Sequence, residues 1–250
     1  MNLEFCNRLR NRELLIGSIV SIDSVAVMEI LSQSRLDWIF IEAEHAPIGM
    51  TALERLLVAA GNTPCLVRLP NHEPTWIKRA LDLGAAGIIV PQVNTVGEAK
   101  AIAQAARFAP QGGRGVGVCR ANGYGYTVGD YLTGANAGTA VMVQAEHVDA
   151  IDNASAIASV DGIDGVFVGP YDLSTSMGFP GQLDHQEVNE AIEHIRAAFA
   201  EVRKPAGYFS VDAKDAKKRI GQGFSLVACS VDVVLLRAGV EALAASLHEA

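Results

Sequence analysis

Two acids in this chain sit where a divalent cation could use them. Glu146 ends Gln144-Ala145-Glu146 after the apolar run Ala140-Val141-Met142-Val143. Asp172 lies in Gly169-Pro170-Tyr171-Asp172-Leu173-Ser174 after Gly165-Val166-Phe167-Val168. Both runs read as β-strands, so each is expected to deliver one carboxylate to the same end of a sheet. Two hard oxygen ligands on neighbouring strand ends suit Mg²⁺, Mn²⁺ or a similar ion, with positions left open for water and a bidentate 2-oxo acid. The spacing fits equally well two acids in the first turns of helices, where the macrodipole favours negative charge. Asp172 follows Pro170 as first-turn acids commonly do.

Other strand ends carry chemistry of their own. Glu42-Ala43-Glu44-His45 closes Trp38–Glu42, and His45 could be a general base acting through a bound water or a plain loop histidine. Asp82, on the helix after the third strand, could orient His45 or be a solvated acid. Arg68 ends Cys65–Arg68, and a guanidinium at the tip of a buried strand calls for an anionic partner: a substrate oxygen, or Glu42 or Glu44. The turn Gly169–Asp172 could hold a carboxylate on the N–H groups of Tyr171 and Asp172, or be an ordinary strand-to-helix turn. All six lysines (Lys78, Lys100, Lys204, Lys214, Lys217 and Lys218) lie away from these strand ends. A Schiff-base mechanism therefore has no amine to use, and an enolate formed here would need a metal. Gly112-Gly113-Arg114-Gly115-Val116-Gly117 lacks the strand and helix that would flank a dinucleotide-binding loop.

The elements that must position these residues alternate along the whole chain. Strands are predicted at Leu15–Val20, Trp38–Glu42, Cys65–Arg68, Gly87–Pro91, Val141–Gln144, Gly165–Val168, Ala206–Phe209 and Leu226–Cys229, largely apolar as in a parallel sheet covered on both faces. Helices are predicted at Ser24–Ser32, Thr51–Ala60, Thr75–Leu83, Thr95–Arg107, Asp149–Ala158, Gln186–Glu201, Ala213–Gly221 and Val234–Leu247. Capping boxes are expected at Thr51/Glu54 and Thr95/Glu98. Eight alternations in one domain spanning 1–250 predict an α/β fold, a single (β/α)8 TIM barrel with its site at the C-terminal strand ends. The irregular stretch Ala109–Val128, with six glycines, reads as a functional loop.

Composition narrows the class. Among 250 residues 50% are hydrophobic and 19% charged, which favours a large core over disorder. The net charge of −8 and scattered basic residues argue against nucleic acid or an anionic membrane as partner. No apolar run reaches the ~18 residues of a membrane span, and no signal peptide is apparent. Cys6, Cys65, Cys119 and Cys229 show no metal-ligand spacing. Cys65 and Cys229 read as buried reduced thiols of a cytoplasmic protein.

Trp38–Pro47, Arg114–Gly117, Gln144–Glu146 and Gly169–Ser174 together resemble the HpcH/HpaI aldolases, class II pyruvate aldolases on a (β/α)8 barrel, from about Leu15 to the C-terminal helix. The resemblance implies Glu146 and Asp172 as ligands of a divalent metal (Mg²⁺, Mn²⁺ or Co²⁺). It places Gln144, Gly169, Pro170, Tyr171 and Ser174 around pyruvate, with the turn's N–H groups on its carboxylate, and Phe209 against the acceptor aldehyde. Arg68 would stabilise the enolate or oxyanion, and His45, backed by Asp82 and Glu42, would handle protons. Glu42 stands where members often have Asp, one methylene shorter. The resemblance also implies a homohexamer, a trimer of dimers that exchange C-terminal helices. The expected activity is reversible cleavage of 4-hydroxy-2-oxo acids to pyruvate and an aldehyde. The alternatives are an acyl-CoA lyase of the malyl or citramalyl type and a non-catalytic barrel that binds 2-oxo acids.

Overall fold

In a computed structural model, which describes residues 2–248, eight strands close into a parallel barrel in chain order. They are β1 (Leu15–Val20), β2 (Trp38–Glu42), β3 (Cys65–Arg68), β4 (Gly87–Val90), β5 (Ala140–Ala145), β6 (Gly165–Val168), β7 (Ala206–Ser210) and β8 (Leu226–Val231). β8 returns to β1, pairing Leu15 with Leu226. No sheet edge is left open.

The barrel divides its apolar residues into two layers. Inside lie Leu15, Trp38, Phe40, Leu66, Met142 and Phe167. Phe40 and Phe167 meet edge-on with ring centroids 5.4 Å apart, and Trp38 stacks on Phe40 at 6.0 Å. Gly207 makes room for this cluster, since a Cβ there would stand 2.5 Å from the Phe167 ring. The outer layer joins strand residues such as Ile41, Val67, Ile88 and Val143 to the helices. Strands buried on both faces account for their nearly unbroken apolar sequences.

A first helix, α1 (Leu3–Arg10), is absent from the sequence-based assignment. Its buried Phe5, Cys6 and Leu9 join the interior cluster at the N-terminal strand ends. Then come α2 (Val25–Ser32), α3 (Met50–Ala59), α4 (Pro74–Asp82) and α5 (Val96–Ala106). Thr95 and Glu98 form the expected capping box on α5. The expected box at Thr51 does not form, because α3 begins one residue earlier with Gly49 as its cap. The glycine-rich loop contains a 3-10 segment at Arg120–Gly125, pinned by Arg120 Nη1 donating to the Leu83 carbonyl at 2.7 Å, and leads to α6 (Val128–Gly134). The helix predicted at Asp149–Ala158 is two, α7 (Val148–Asp152) and α8 (Ala154–Ala158). They break at Asn153, whose side chain donates to the Asn94 and Asp149 carbonyls.

Next follow α9 (Pro170–Ser176), α10 (Gln186–Glu201), α11 (Ala213–Gly221) and α12 (Asp232–His248). On α12, Leu236, Val240, Leu243 and Leu247 are exposed. Among the described residues no helix is long and apolar enough to cross a membrane. All four cysteines are free. Burial pushes the Cys6 and Cys65 thiols up to about 12, whereas Cys229 is only half-buried, contrary to expectation.

Candidate active site

A cavity of about 310 Å³ opens at the C-terminal strand ends. Phe40, Glu42 and His45 from β2 and its loop, Arg68 from β3 and Gln144 from β5 line one side. Phe167 and Gly169–Asp172 from β6 and α9 form the next. Ile19, Ser21, Phe209 and Val231 from β1, β7 and β8 complete the rim. Strand polarity causes this convergence, because parallel strands place all their C-terminal ends on one face.

Glu146 is seated beneath Gly169 and is 2% exposed. Its Oε1 accepts from the Gln92 N–H at 2.7 Å and its Oε2 from the Gln144 side-chain amide. A Cβ on Gly169 would lie 2.6 Å from Glu146 Oε2, so only glycine lets the β6–α9 turn approach this carboxylate. Burial raises the Glu146 carboxyl above its ordinary range. The Gln144 and Gln92 hydrogen bonds oppose the rise, and the charge of Asp172 adds to it. Gln144 Oε1 is buried and has no partner. A buried acid beside a second acid, with a spare amide acceptor next to them, fits a divalent cation, which would offset both charges. Among the described residues no three His, Cys, Asp or Glu side chains form a complete ligand set. An ion held by this pair would have to take its remaining ligands from water and substrate.

The acid/base side is arranged differently from the sequence-based expectation. Glu42 does not touch the His45 ring. Its Oε1 accepts from the backbone N–H of Glu44 at 2.7 Å and of His45 at 2.9 Å, and its Oε2 pairs with Arg68 Nη2. Glu42 thus shapes the turn that carries His45. Arg68 Nε stands 3.2 Å from Glu44 Oε2 without hydrogen-bond alignment, leaving both atoms able to take another partner. The exposed His45 ring lies 3.7 Å from Glu44 Oε2. Burial pushes the Glu44 carboxyl up to about 7; Arg68 opposes this, and Glu146 adds to it.

Asp82 does not stand behind His45. It ends α4, which runs back from the rim, and its Oδ1 accepts from Arg114 Nη2 at 2.6 Å. Arg114 is buried over the Phe108 ring. Ser174 is not on the cavity wall either. It is fully buried, its hydroxyl donates to the Tyr171 carbonyl at 2.8 Å and accepts from Gly181 N–H, and it holds the helix and its following turn together. Pro170, Tyr171 and Phe209 do line the cavity, with the Tyr171 and Phe209 rings 6.5 Å apart. Sequence reasoning missed Gln92 as the backbone donor to Glu146. That role depends on a left-handed backbone, φ +53°, at a residue type that does not announce it. Ile19, Ser21 and Val231 were missed because small and apolar strand-end residues look like core.

Comparison with known proteins gives a consistent answer. A profile of the HpcH/HpaI aldolase/citrate lyase family matches residues 16–238. The chain is 36% identical over 249 residues to a 5-keto-4-deoxy-D-glucarate aldolase of Enterobacter sp. (strain 638), covering 98% of this chain and 97% of that one. It is 37% identical over 239 residues to the protein of that name from Salmonella arizonae, covering 94% and 93%. A crystal structure of a HpcH/HpaI aldolase/citrate lyase family protein from Burkholderia cenocepacia J2315 superposes with a TM-score of 0.93 at 35% identity, covering 98% and 99%.

Proposed function

The chain belongs to the HpcH/HpaI aldolase/citrate lyase family, and from that membership we propose a metal-dependent class II aldolase that cleaves 4-hydroxy-2-oxo acids to pyruvate and an aldehyde, and joins them in reverse. The observation that carries this is the buried Glu146, packed under Gly169 and within charge reach of Asp172, next to a cavity that Gly169 and Asp172 line and that has no lysine on its wall. The 310 Å³ cavity also has Arg68 as its only Lys or Arg, leaving no basic cluster for CoA phosphates, which favours this reading over an acyl-CoA lyase.

Glu146 and Asp172 would hold Mg²⁺, Mn²⁺ or Co²⁺, which when bound would supply Lewis acidity toward the 2-oxo group. The first turn of α9 leaves the N–H groups of Tyr171 and Asp172 without intrahelical acceptors, so they can take the pyruvate carboxylate. Gln144 would lie alongside pyruvate. Arg68, held by Glu42, would meet the negative oxygen that grows as the C3–C4 bond breaks. His45 would accept the C4 hydroxyl proton through a water and return one in the addition direction. Phe40, Phe167 and Phe209 keep bulk water from the carbanionic carbon.

The apolar residues exposed on α12 support a homo-oligomer, and family resemblance makes it a hexamer that exchanges this helix. Four free thiols support a reducing, cytoplasmic setting. A single barrel domain would carry the activity.

Cleavage of 5-keto-4-deoxy-D-glucarate, the compound in the relatives' names, is the first assay. EDTA is expected to abolish pyruvate release and added Mn²⁺ to restore it. Full turnover in EDTA, or borohydride trapping of pyruvate on a lysine, would overturn the class II assignment.

A further inference from the structure

We propose that Ser21 and Asp232 form a specificity pair that selects a hydroxyl group on the aldehyde half of the substrate. The proposal rests on the aldolase reading and concerns the rim opposite Gly169.

Ser21 follows β1 and lines the cavity. Asp232 opens α12 directly after Val231, another cavity residue, and is 5% exposed. A bulge brings the two together. Gly17 pairs with Ala228 and Ile19 with Val231, so β8 spends an extra residue over this interval. Ser230 takes a left-handed φ of +64°, and Ser18 Oγ donates to its carbonyl at 3.2 Å. Such an insertion re-aims the residues after it.

The Asp232 carboxylate is then filled by donors. Oδ1 accepts from Ser21 Oγ at 2.6 Å and from the Val233 N–H at 2.8 Å. Oδ2 accepts from the N–H of Ser21 at 2.9 Å and of Ile22 at 2.8 Å. Three of these donors are backbone N–H groups, which cannot reverse. The carboxylate is therefore the acceptor throughout, and the fourth contact commits the Ser21 proton to it. A serine whose proton is committed offers only lone pairs to the cavity.

That choice has a chemical consequence. A hydroxyl on the aldehyde can donate to Ser21 Oγ, whereas a carboxylate placed there would meet a lone pair with the Asp232 charge behind it. Ser21 is the specificity-determining contact, and Asp232 is a positioning residue that acts through it.

The test is addition of pyruvate to glycolaldehyde, acetaldehyde and glyoxylate by the full-length, Mn²⁺-loaded enzyme. Activity is scored as ratios of kcat/KM, so that a general loss of activity cancels. Comparing variant with wild type also cancels differences in aldehyde hydration. Ser21→Ala is expected to lower the glycolaldehyde-to-acetaldehyde ratio about tenfold, equal to about 1.4 kcal/mol. In Asp232→Asn the amide can donate to Ser21 Oγ and turn its proton toward the cavity, so the glyoxylate-to-glycolaldehyde ratio is expected to rise. An unchanged glycolaldehyde-to-acetaldehyde ratio in Ser21→Ala would overturn the proposal, whatever Asp232→Asn does. Failure of every aldehyde in the wild-type enzyme would instead strike the aldolase reading beneath it.

Discussion

The two ends of the barrel use the same residue types for opposite purposes. At the N-terminal strand ends Arg10 and Arg107 share Asp164, with Arg107 Nη2 2.5 Å and Arg10 Nε 2.9 Å from its two oxygens. Their remaining donors reach the carbonyls of Asn136, Ala137, Thr139 and Gly162, and Lys204 Nζ reaches those of Ala158 and Val160. None of these charged side chains leaves a buried atom unpaired. At the C-terminal ends Glu44 Oε2, Arg68 Nε, Gln144 Oε1 and Ser210 Oγ are buried without a hydrogen-bond partner. Unpaired buried polar atoms cost stability, and two of these four, Arg68 Nε and Gln144 Oε1, belong to residues on the cavity wall, where they have bonding capacity for a ligand. Arg114 Nε is buried and unpaired away from the cavity, so neither charge nor an unpaired atom marks a site by itself; unpaired polar atoms on a cavity wall do.

The contrast is broken most directly at Glu146. Glu146→Gln preserves shape while removing charge, and it is expected to lose roughly 10³-fold in kcat/KM, the scale of a lost electrostatic contact at a reacting centre. Mn²⁺ titration by calorimetry should show weakened binding in the same variant. Tight Mn²⁺ binding with normal turnover would remove Glu146 from the metal site.

Arg107→Ala should do the reverse. Breaking a buried ion pair costs about 3–5 kcal/mol, so urea should unfold the variant at a clearly lower concentration, while turnover per folded molecule stays at the wild-type level. Loss of turnover without loss of stability would erase the distinction between the two ends.

Arg68→Lys keeps the charge but loses the planar fork that spans Glu42 and Glu44. A fall of about 10²-fold in kcat is expected, with little change in the unfolding midpoint. An unfolding shift as large as that of Arg107→Ala would make Arg68 structural instead.

The smallest effect concerns Glu44. Its carboxyl is raised to about 7 in the folded protein from an ordinary value of 4.5, so between those pH values the folded state holds more proton than the unfolded one. Stability is favoured by this group below pH 4.5 and is lost as pH rises toward 7. In metal-free protein, Glu44→Gln should flatten that decline in urea titrations at successive pH values. An unchanged slope would show that Glu44 ionises freely.

Much of the fold was legible in the sequence. The eight strand positions follow from apolar runs bounded by turns, and α10 and α11 occupy the predicted residues. Misses came where one local signal competed with another. Thr51 looks like a cap, yet Gly49 caps the helix, and Asn153 breaks a segment whose periodicity reads as continuous. The short α1 went unseen because its role is to plug a barrel that does not exist until it closes.

The sequence by itself determined the alternation, the polarity of the strands and therefore the rim on which Glu146, Asp172, Arg68 and His45 gather. These are consequences of short-range pattern and of the single direction that parallel strands share. Tertiary structure alone decided the partners. Asp82 goes to Arg114 because α4 carries it away from the rim; Glu42 caps the turn of His45; Gln92 turns its N–H onto Glu146; and Asp232 clamps Ser21 across 211 residues of chain. Buried polar groups take whichever partner barrel closure sets within hydrogen-bond reach, and no local periodicity encodes that meeting.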